Sequence, residues 1–555
     1  MKMNVLTKQI SLLLILALSS CLVDCKVELG ASQISAVSTQ NEACKKLANR
    51  VLQIGGNAVD SAILATACLC VYEQQSTSFG GSGFATIYDR NSDKKYFYDM
   101  RPFKTKEVLI QDIIKVCLDE ETDRSSVDKS VRNVSPDSVA FPLILKGFHK
   151  LSVNHGRLAT KDLFQLLIDK IKADDKKIIQ SEASMMAKNK LPNVVAANFA
   201  KNLNMKSAEE FYTRNWWDAE PFLKILEDIQ NEGLGEIASS HSKFTQEVLR
   251  NSSLTLEDFK INEVKISEPY NFKFRGYNIL APKYPSGGLF VKLGLELFEK
   301  LNSSSRKFEE LGHNDLVGII ISQIFNNLQV LKEDNYNSVF KRSVESIVTT
   351  VENIDIPLMS FLQPNNYTDR GMRGGTSHVS VIDDDGLSIS ITTSVNRNHG
   401  SGVMLPSYNI ILNDDNCDYA DYLREDLDDL ESQKEFAEAH PELKSSMSPI
   451  IFYDENTICS VGSKGSQKIF QGVIQVVLNY IYCGMSLQDS LNCPRIYYYN
   501  NEMQYEHNFE TVPFSPKMMN YFNVKRIVAP GNRVYMSCKS KNSAVSAGFD
   551  PRDID

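Results

Sequence analysis

The sequence predicts an α+β fold, and three observations predict it. Two early runs, Thr39 to Leu52 and Ala58 to Val71, carry helical spacing. Two pairs of short alternating runs are joined by turn-forming residues, which marks β-hairpins. The stretch from about 140 to 260 is again mainly helical. The chain has 555 residues, 42% hydrophobic and 23% charged, which is a globular composition with room for two domains or one large enzyme. Its formal net charge of −9 argues against a nucleic-acid binder, which needs a basic face. Eleven cysteines are too few for a disulfide scaffold.

The elements follow in order. Lys2 and Lys8 flank the start of an apolar run, Ile10 to Leu18, followed by Ser19-Ser20-Cys21-Leu22-Val23-Asp24-Cys25. This reads as a secretory signal peptide over residues 1–25, with an uncleaved membrane anchor as the alternative. The run is shorter than the roughly 20 residues that span a bilayer, and no later segment reaches that length. In an exported chain the sequons at Asn133, Asn251, Asn302 and Asn366 are glycosylation candidates, the first weakened by Pro136. The first helix stops at Gly55-Gly56, and Asn57 caps the second. Cys44 and Cys68 lie on these two helices, where a bridge would tie the pair together. Cys70 reads as a buried core thiol. Phe79-Gly80-Gly81-Ser82-Gly83 leads into strand-like runs at Phe84 to Tyr88 and Lys95 to Met100. The glycines read as a tight turn, since a phosphate loop would end in Lys-Ser/Thr. Residues 105–140 are polar and loop-like. Phe272 to Leu280 reads as one strand, and Pro285-Ser286-Gly287-Gly288 opens an apolar helix through Leu301. Residues 310–365 are mixed and Asn-rich.

At residue 374 the texture changes. Gly374-Gly375-Thr376-Ser377-His378 opens a strand, Asp383-Asp384-Asp385-Gly386 turns it, and Leu387, Ile389 and Ile391 mark the return strand. Residues 414–442 hold twelve Asp and Glu against Arg424 and Lys434, and beyond its first members this run reads as solvated surface. On residue type alone Thr376 is a β-branched strand residue, Arg101 a strand-end arginine and His378 a packing residue.

Seven segments in order change that reading. They are Gly55 to Ala62, Phe79 to Phe84, Pro285 to Gly288, Gly374 to Val381, Ser445-Ser446-Met447-Ser448-Pro449, Val461-Gly462-Ser463-Lys464-Gly465, and Asp550-Pro551-Arg552. Together, from about residue 30 to the end, the chain resembles the gamma-glutamyltransferase family of N-terminal-nucleophile hydrolases. The resemblance implies an αββα four-layer sandwich built from a precursor that cuts itself at Gly375–Thr376. A large subunit of residues 26–375 and a small subunit of 376–555 then form one joint fold. It also supports a Cys44–Cys68 disulfide.

The implied chemistry is coherent. The Thr376 hydroxyl attacks the Gly375 carbonyl, the ester is hydrolysed, and the freed α-amine, with a reference pKa of about 7.7–8.0, serves as base. Gly375, lacking a side chain, leaves the bond conformationally free. The resemblance assigns Ser394 as hydroxyl partner of the nucleophile. It assigns the backbone N–H groups of Gly465 and Ser466 as the oxyanion hole. Arg101, Ser445 and Ser446 bind the donor α-carboxylate, and Asn396, Asp415 and Asp418 its ammonium. The implied partners are glutathione and other γ-glutamyl compounds, with acceptor amino acids, dipeptides or water; no metal or organic cofactor is implied.

Two departures from the family pattern stand out. Asp415 replaces a longer Glu or Gln, and Ser466 replaces a glycine, which strains the turn if it needs a positive φ. The expectation is a working but slow enzyme. The alternatives are a secreted homologue that binds without turnover and an amidohydrolase for simpler acyl groups.

Overall fold

The computed structural model describes residues 37–105, 113, 117, 134–302, 312–327, 331–352, 374–420, 442–499, 501–528, 531–541 and 544–553. The signal segment, Asn133, Asn366 and the acidic run from 421 to 441 lie outside these residues.

Two six-stranded sheets form the centre. The first contains β1 (Val37–Thr39), β2 (Ser82–Asp89), β3 (Lys94–Met100), β4 (Lys265–Ser267), β7 (Gly375–Ile382) and β8 (Leu387–Asn396), in the order β1-β7-β8-β2-β3-β4. The second contains β5 (Tyr270–Phe274), β6 (Tyr277–Ala281), β9 (Ile450–Tyr453), β10 (Thr457–Lys464), β11 (Arg533–Ser540) and β12 (Ser546–Ala547), in the order β12-β11-β10-β9-β6-β5.

Period-two alternation sets the layers. In β7, Val379 and Val381 join the core beneath the helices α1 (Glu42–Gln53), α2 (Ala58–Tyr72) and α3 (Ile144–His155). The alternate residues Thr376, His378 and Ser380 face the second sheet. That face is polar: Ser390 Oγ donates to the Val461 carbonyl at 3.0 Å, Ser460 Oγ to Ile389 at 2.9 Å and Ser537 Oγ to Ser380 at 3.0 Å. Helices α4 (Gly288–Asn302), α5 (His313–Asn326) and α6 (Ile469–Val477) cover the second sheet's other face. The result is the expected αββα sandwich.

Local expectations hold with four refinements, apart from the loop read over 105–140, most of which lies outside the described residues. The first helix starts only after Asn41, whose side chain caps Ala43 and Cys44, while Thr39 belongs to β1. Asn57 and Asp60 form a capping box for α2, all of whose residues are buried. The run 272–280 is a hairpin, because Arg275 and Gly276 both adopt positive φ and reverse the chain. The mixed 310–365 region contains α5 and a helix over Tyr336–Glu352, whose apolar stripes the Asn content had masked. Cys44–Cys68 is a disulfide, Cys70 is buried and free, and two further disulfides join Cys117 to Cys417 and Cys459 to Cys538.

Candidate active site

Strand register builds the site. In the first sheet Ser394 lies opposite Thr376 on one side and opposite Ser82 on the other. Ser82, Ser394 and Thr376 therefore form a row across β2, β8 and β7 on the face toward the second sheet. Ser82 and Thr376 are two strand spacings apart, about 10 Å.

Around Thr376, which is buried, the Ser394 hydroxyl is the hub. It donates to the Gly375 carbonyl at 2.5 Å, accepts from the Asn396 backbone N–H at 2.8 Å, and its oxygen lies 3.5 Å from Thr376 Oγ1. The ladder slips between Ser394 and Asn396, and Asn396 takes φ 73° there, a conformation asparagine tolerates. Its side-chain amide donates to the Asp414 carbonyl at 3.1 Å. Gly375 is required by close approach, not by conformational freedom. Its φ is not positive, but a Cβ would stand 2.4 Å from the Arg397 carbonyl oxygen.

A second cluster forms around Arg101, which follows β3. Its Nη1 donates to Ser82 Oγ at 2.8 Å and pairs with Asp415 Oδ1 at 2.8 Å; its Nη2 pairs with Asp418. Its Nε donates to the Leu443 carbonyl at 3.1 Å, and its backbone N–H to Asp99 Oδ1 at 2.9 Å. Leu443 leads directly to Ser445 and Ser446. There, Ser445 N–H donates to the Pro285 carbonyl at 2.9 Å, and the Ser446 carbonyl packs where a Cβ on Gly287 would be. Ser445 Oγ also accepts from the Met447 backbone N–H at 3.3 Å, and both serines lie within three residues of the Leu443 carbonyl that holds Arg101.

Asp415 differs from expectation. It is fully buried, with one oxygen on Arg101 and the other accepting from Ser82 at 2.5 Å. The short side chain thus serves the arginine, and Asp418 is the more exposed of the two carboxylates. Ser82 was hidden in the glycine-rich segment. The glycines around it admit neighbouring backbone: a Cβ on Gly81 would stand 2.4 Å from the Ser394 carbonyl oxygen, and one on Gly83 2.5 Å from that of Thr392. A serine among glycines that touch the Thr376 hairpin was the available signal.

Burial raises the Asp415 carboxyl to about 6, against the lowering effect of Arg101 and with help from nearby Asp418. The folded chain then keeps a proton that the unfolded chain releases near its lower, ordinary value. This contribution to stability is complete at low pH and is lost as pH rises through about 6. Relative to Asp415→Asn, wild-type stability is expected to fall by up to about 3 kcal/mol from roughly pH 4 to pH 7. Denaturant titrations of both proteins at the two pH values check this.

The oxyanion-hole candidates follow β10. Gly462 lies against the His378 ring, which sits two residues into the strand from Thr376. Ser390, opposite Ser380, donates to Val461. This register runs β7 backward as β10 runs forward, carrying Gly465 and Ser466 to the end of the sandwich where Thr376 lies. Gly465 has φ 130° and packs on Asn532. Ser466 has φ 57° and a buried hydroxyl with no hydrogen-bond partner among the described residues. The turn does require positive φ, and serine is strained in it. Ser466→Gly is expected to stabilise the protein by about 1–2 kcal/mol, read as a higher unfolding midpoint.

His378 is structural. Buried between Thr392 Oγ1 at 2.7 Å and Ser380 Oγ at 2.8 Å, its basicity is pushed down to about 3. Among the described residues no cluster suits a metal ion. Nor is any described helix long and apolar enough to cross a membrane. Of the sequons, Asn251 is half-buried with its amide on the Glu247 carbonyl at 2.8 Å, and Asn302 accepts from Tyr482 at 3.4 Å.

The chain is similar to known proteins over most of its length. Glutathione hydrolase 3 of Arabidopsis thaliana is 25% identical over 87% of this chain and 75% of its own length. The glutathione hydrolase proenzyme of Bacillus subtilis (strain 168) is 24% identical over 83% of this chain and 80% of its own length. In structure, cephalosporin acylase from Bacillus halodurans superposes with TM-score 0.73 at 15% identity, over 96% of this chain and 98% of that one, which shows the shared N-terminal-nucleophile hydrolase fold. The gamma-glutamyltranspeptidase family model matches residues 44–552. With Thr376, Ser394 and the Ser82 that holds Arg101 in one row of one sheet and the family model matched over most of its length, the chain is a member of the gamma-glutamyltranspeptidase family of enzymes.

Proposed function

We propose that this enzyme cleaves the γ-glutamyl amide of glutathione and its conjugates through an ester on Thr376, passing the group to amino acids, dipeptides or water. One observation carries the reading: the Ser394 hydroxyl reaches the Gly375 carbonyl and lies beside Thr376 Oγ1, in the same strand row as the Ser82 that holds Arg101. In the precursor, Ser394 polarises the carbonyl that Thr376 attacks. The C–N bond breaks, water hydrolyses the ester, and residue 376 becomes an N-terminal threonine with its own amine as base. In the mature enzyme the Thr376 hydroxyl attacks the donor's γ-carbonyl. The N–H groups of Gly465 and Ser466 hold the oxyanion, and the amine returns the proton to the leaving amine. Arg101, with Ser445 and Ser446 nearby, receives the donor α-carboxylate; Asp418 and Asn396 receive the ammonium.

The mature protein is a heterodimer of residues 26–375 and 376–555. It is secreted after loss of residues 1–25 and carries glycans at sequons among Asn133, Asn251, Asn302 and Asn366. The three disulfides among the described residues support passage through an oxidising compartment. The test is substrate ranking. The purified protein is expected to cleave a γ-glutamyl anilide at least about 10-fold faster than a simple acyl anilide, because the latter leaves the Arg101 and Asp418 contacts unmade. Equal rates would remove the γ-glutamyl assignment.

A further inference from the structure

The Cys117–Cys417 disulfide spans 300 residues and takes no part in the chemistry above. Cys117 precedes the Gly375–Thr376 bond and Cys417 follows it. Of the three disulfides among the described residues, the other two each lie on one side of that bond, Cys44–Cys68 before it and Cys459–Cys538 after it.

Cys417 also stands within the substrate-binding segment. Asp418 follows it on Arg101, and Asp415 precedes it by two residues on Arg101 and Ser82. Between them Asn416 is tied to Thr105 Oγ1 at 2.9 Å and to the Val139 carbonyl at 2.9 Å. On the opposite side the Cys117 carbonyl accepts from Arg397 Nη2 at 3.5 Å, and the Arg397 backbone N–H donates to Asp414 Oδ1 at 3.0 Å. Both cysteines are buried. The sulfur bridge thus closes a ring of contacts around residues 414–418, while Thr376 and Ser394 are paired in the β7–β8 ladder, which meets that ring at the Asp414 backbone through Val395 and Asn396.

We propose that the Cys117–Cys417 disulfide is a strap. It covalently joins the two chains that cleavage produces, and it positions the 414–418 segment to receive the donor substrate. Its joining role rests on the processing proposed above, and its positioning role on the substrate contact proposed for Asp418. Loss of the strap loosens Asp418 without touching the nucleophile, so binding suffers more than turnover. Opening it consumes two thiols: they leave as a disulfide, and Cys117 and Cys417 are reduced to thiols.

Three measurements test this. Peptide mapping without reduction is expected to find Cys117 and Cys417 joined, whether or not the chain is cut; alkylated thiols or other partners at these positions overturn the strap. On denaturing gels, one species without reductant and two with it are expected. Two species without reductant overturn the joining role. One species even with reductant overturns both the processing and the joining role, and leaves the positioning role to kinetics. There, Cys117→Ser is expected to raise KM for a γ-glutamyl anilide about 10-fold with kcat within about 2-fold. Dithiothreitol-treated wild type, which needs no refolding variant, is expected to show the same split and recover on reoxidation, whereas dithiothreitol leaves KM of Cys117→Ser unmoved. An unchanged KM in treated wild type whose Cys117 and Cys417 thiols are found reduced by alkylation overturns the positioning role.

Discussion

Replacing Thr376 by alanine is expected to leave one uncut chain and to lower turnover of a γ-glutamyl anilide at least about 10,000-fold. The side chain is asked to do two things. Its oxygen must first attack the Gly375 carbonyl, which the Ser394 hydroxyl already engages at 2.5 Å. It must then attack the donor. Alanine keeps the strand and its packing, so the loss reports chemistry rather than folding. Thr376→Ser, which retains a hydroxyl at the same place in the ladder, is expected to be cut and active. A fully active alanine variant would move the nucleophile elsewhere.

The second large effect is expected at Arg101. Its side chain is 1% exposed and pairs with two carboxylates, so Arg101→Ala removes a buried counter-charge from Asp415 and Asp418. Breaking a buried pair in this way costs about 3–5 kcal/mol, and the variant should unfold at clearly lower denaturant. Arg101→Lys is the kinetic probe. It keeps one charge but lacks the planar fork that joins Ser82, both aspartates and an incoming carboxylate. A drop in kcat/KM of about 10- to 150-fold is expected, mostly as a raised KM, which follows from losing one charge-assisted hydrogen bond. Steady-state kinetics at saturating acceptor separates the two parameters.

Much of this arrangement was legible in the amino-acid sequence. Alternation exposed both hairpins of the first sheet, because a half-buried strand must place apolar residues on one face. Asn57 and Gly55 marked the helix boundary through ordinary capping chemistry. The segment resemblance supplied the αββα arrangement and brought Thr376, Arg101 and Asp418 forward. Other features depend on which chains meet in space. Nothing near Asp415 in the sequence shows that its oxygens end on Arg101 and Ser82 rather than in open space. Ser82 was obscured by glycines that admit the β8 backbone. Arg275-Gly276 reverses the chain inside a run that alternation alone reads as continuous. Cys117 and Cys417 are 300 residues apart, beyond any local signal.

N-terminal sequencing of the reduced, purified protein tests most directly whether residue 376 becomes an N-terminal nucleophile. Two termini are predicted, one near residue 26 and one beginning Thr376-Ser377-His378-Val379. A single terminus, or an internal start at any other residue, would contradict it.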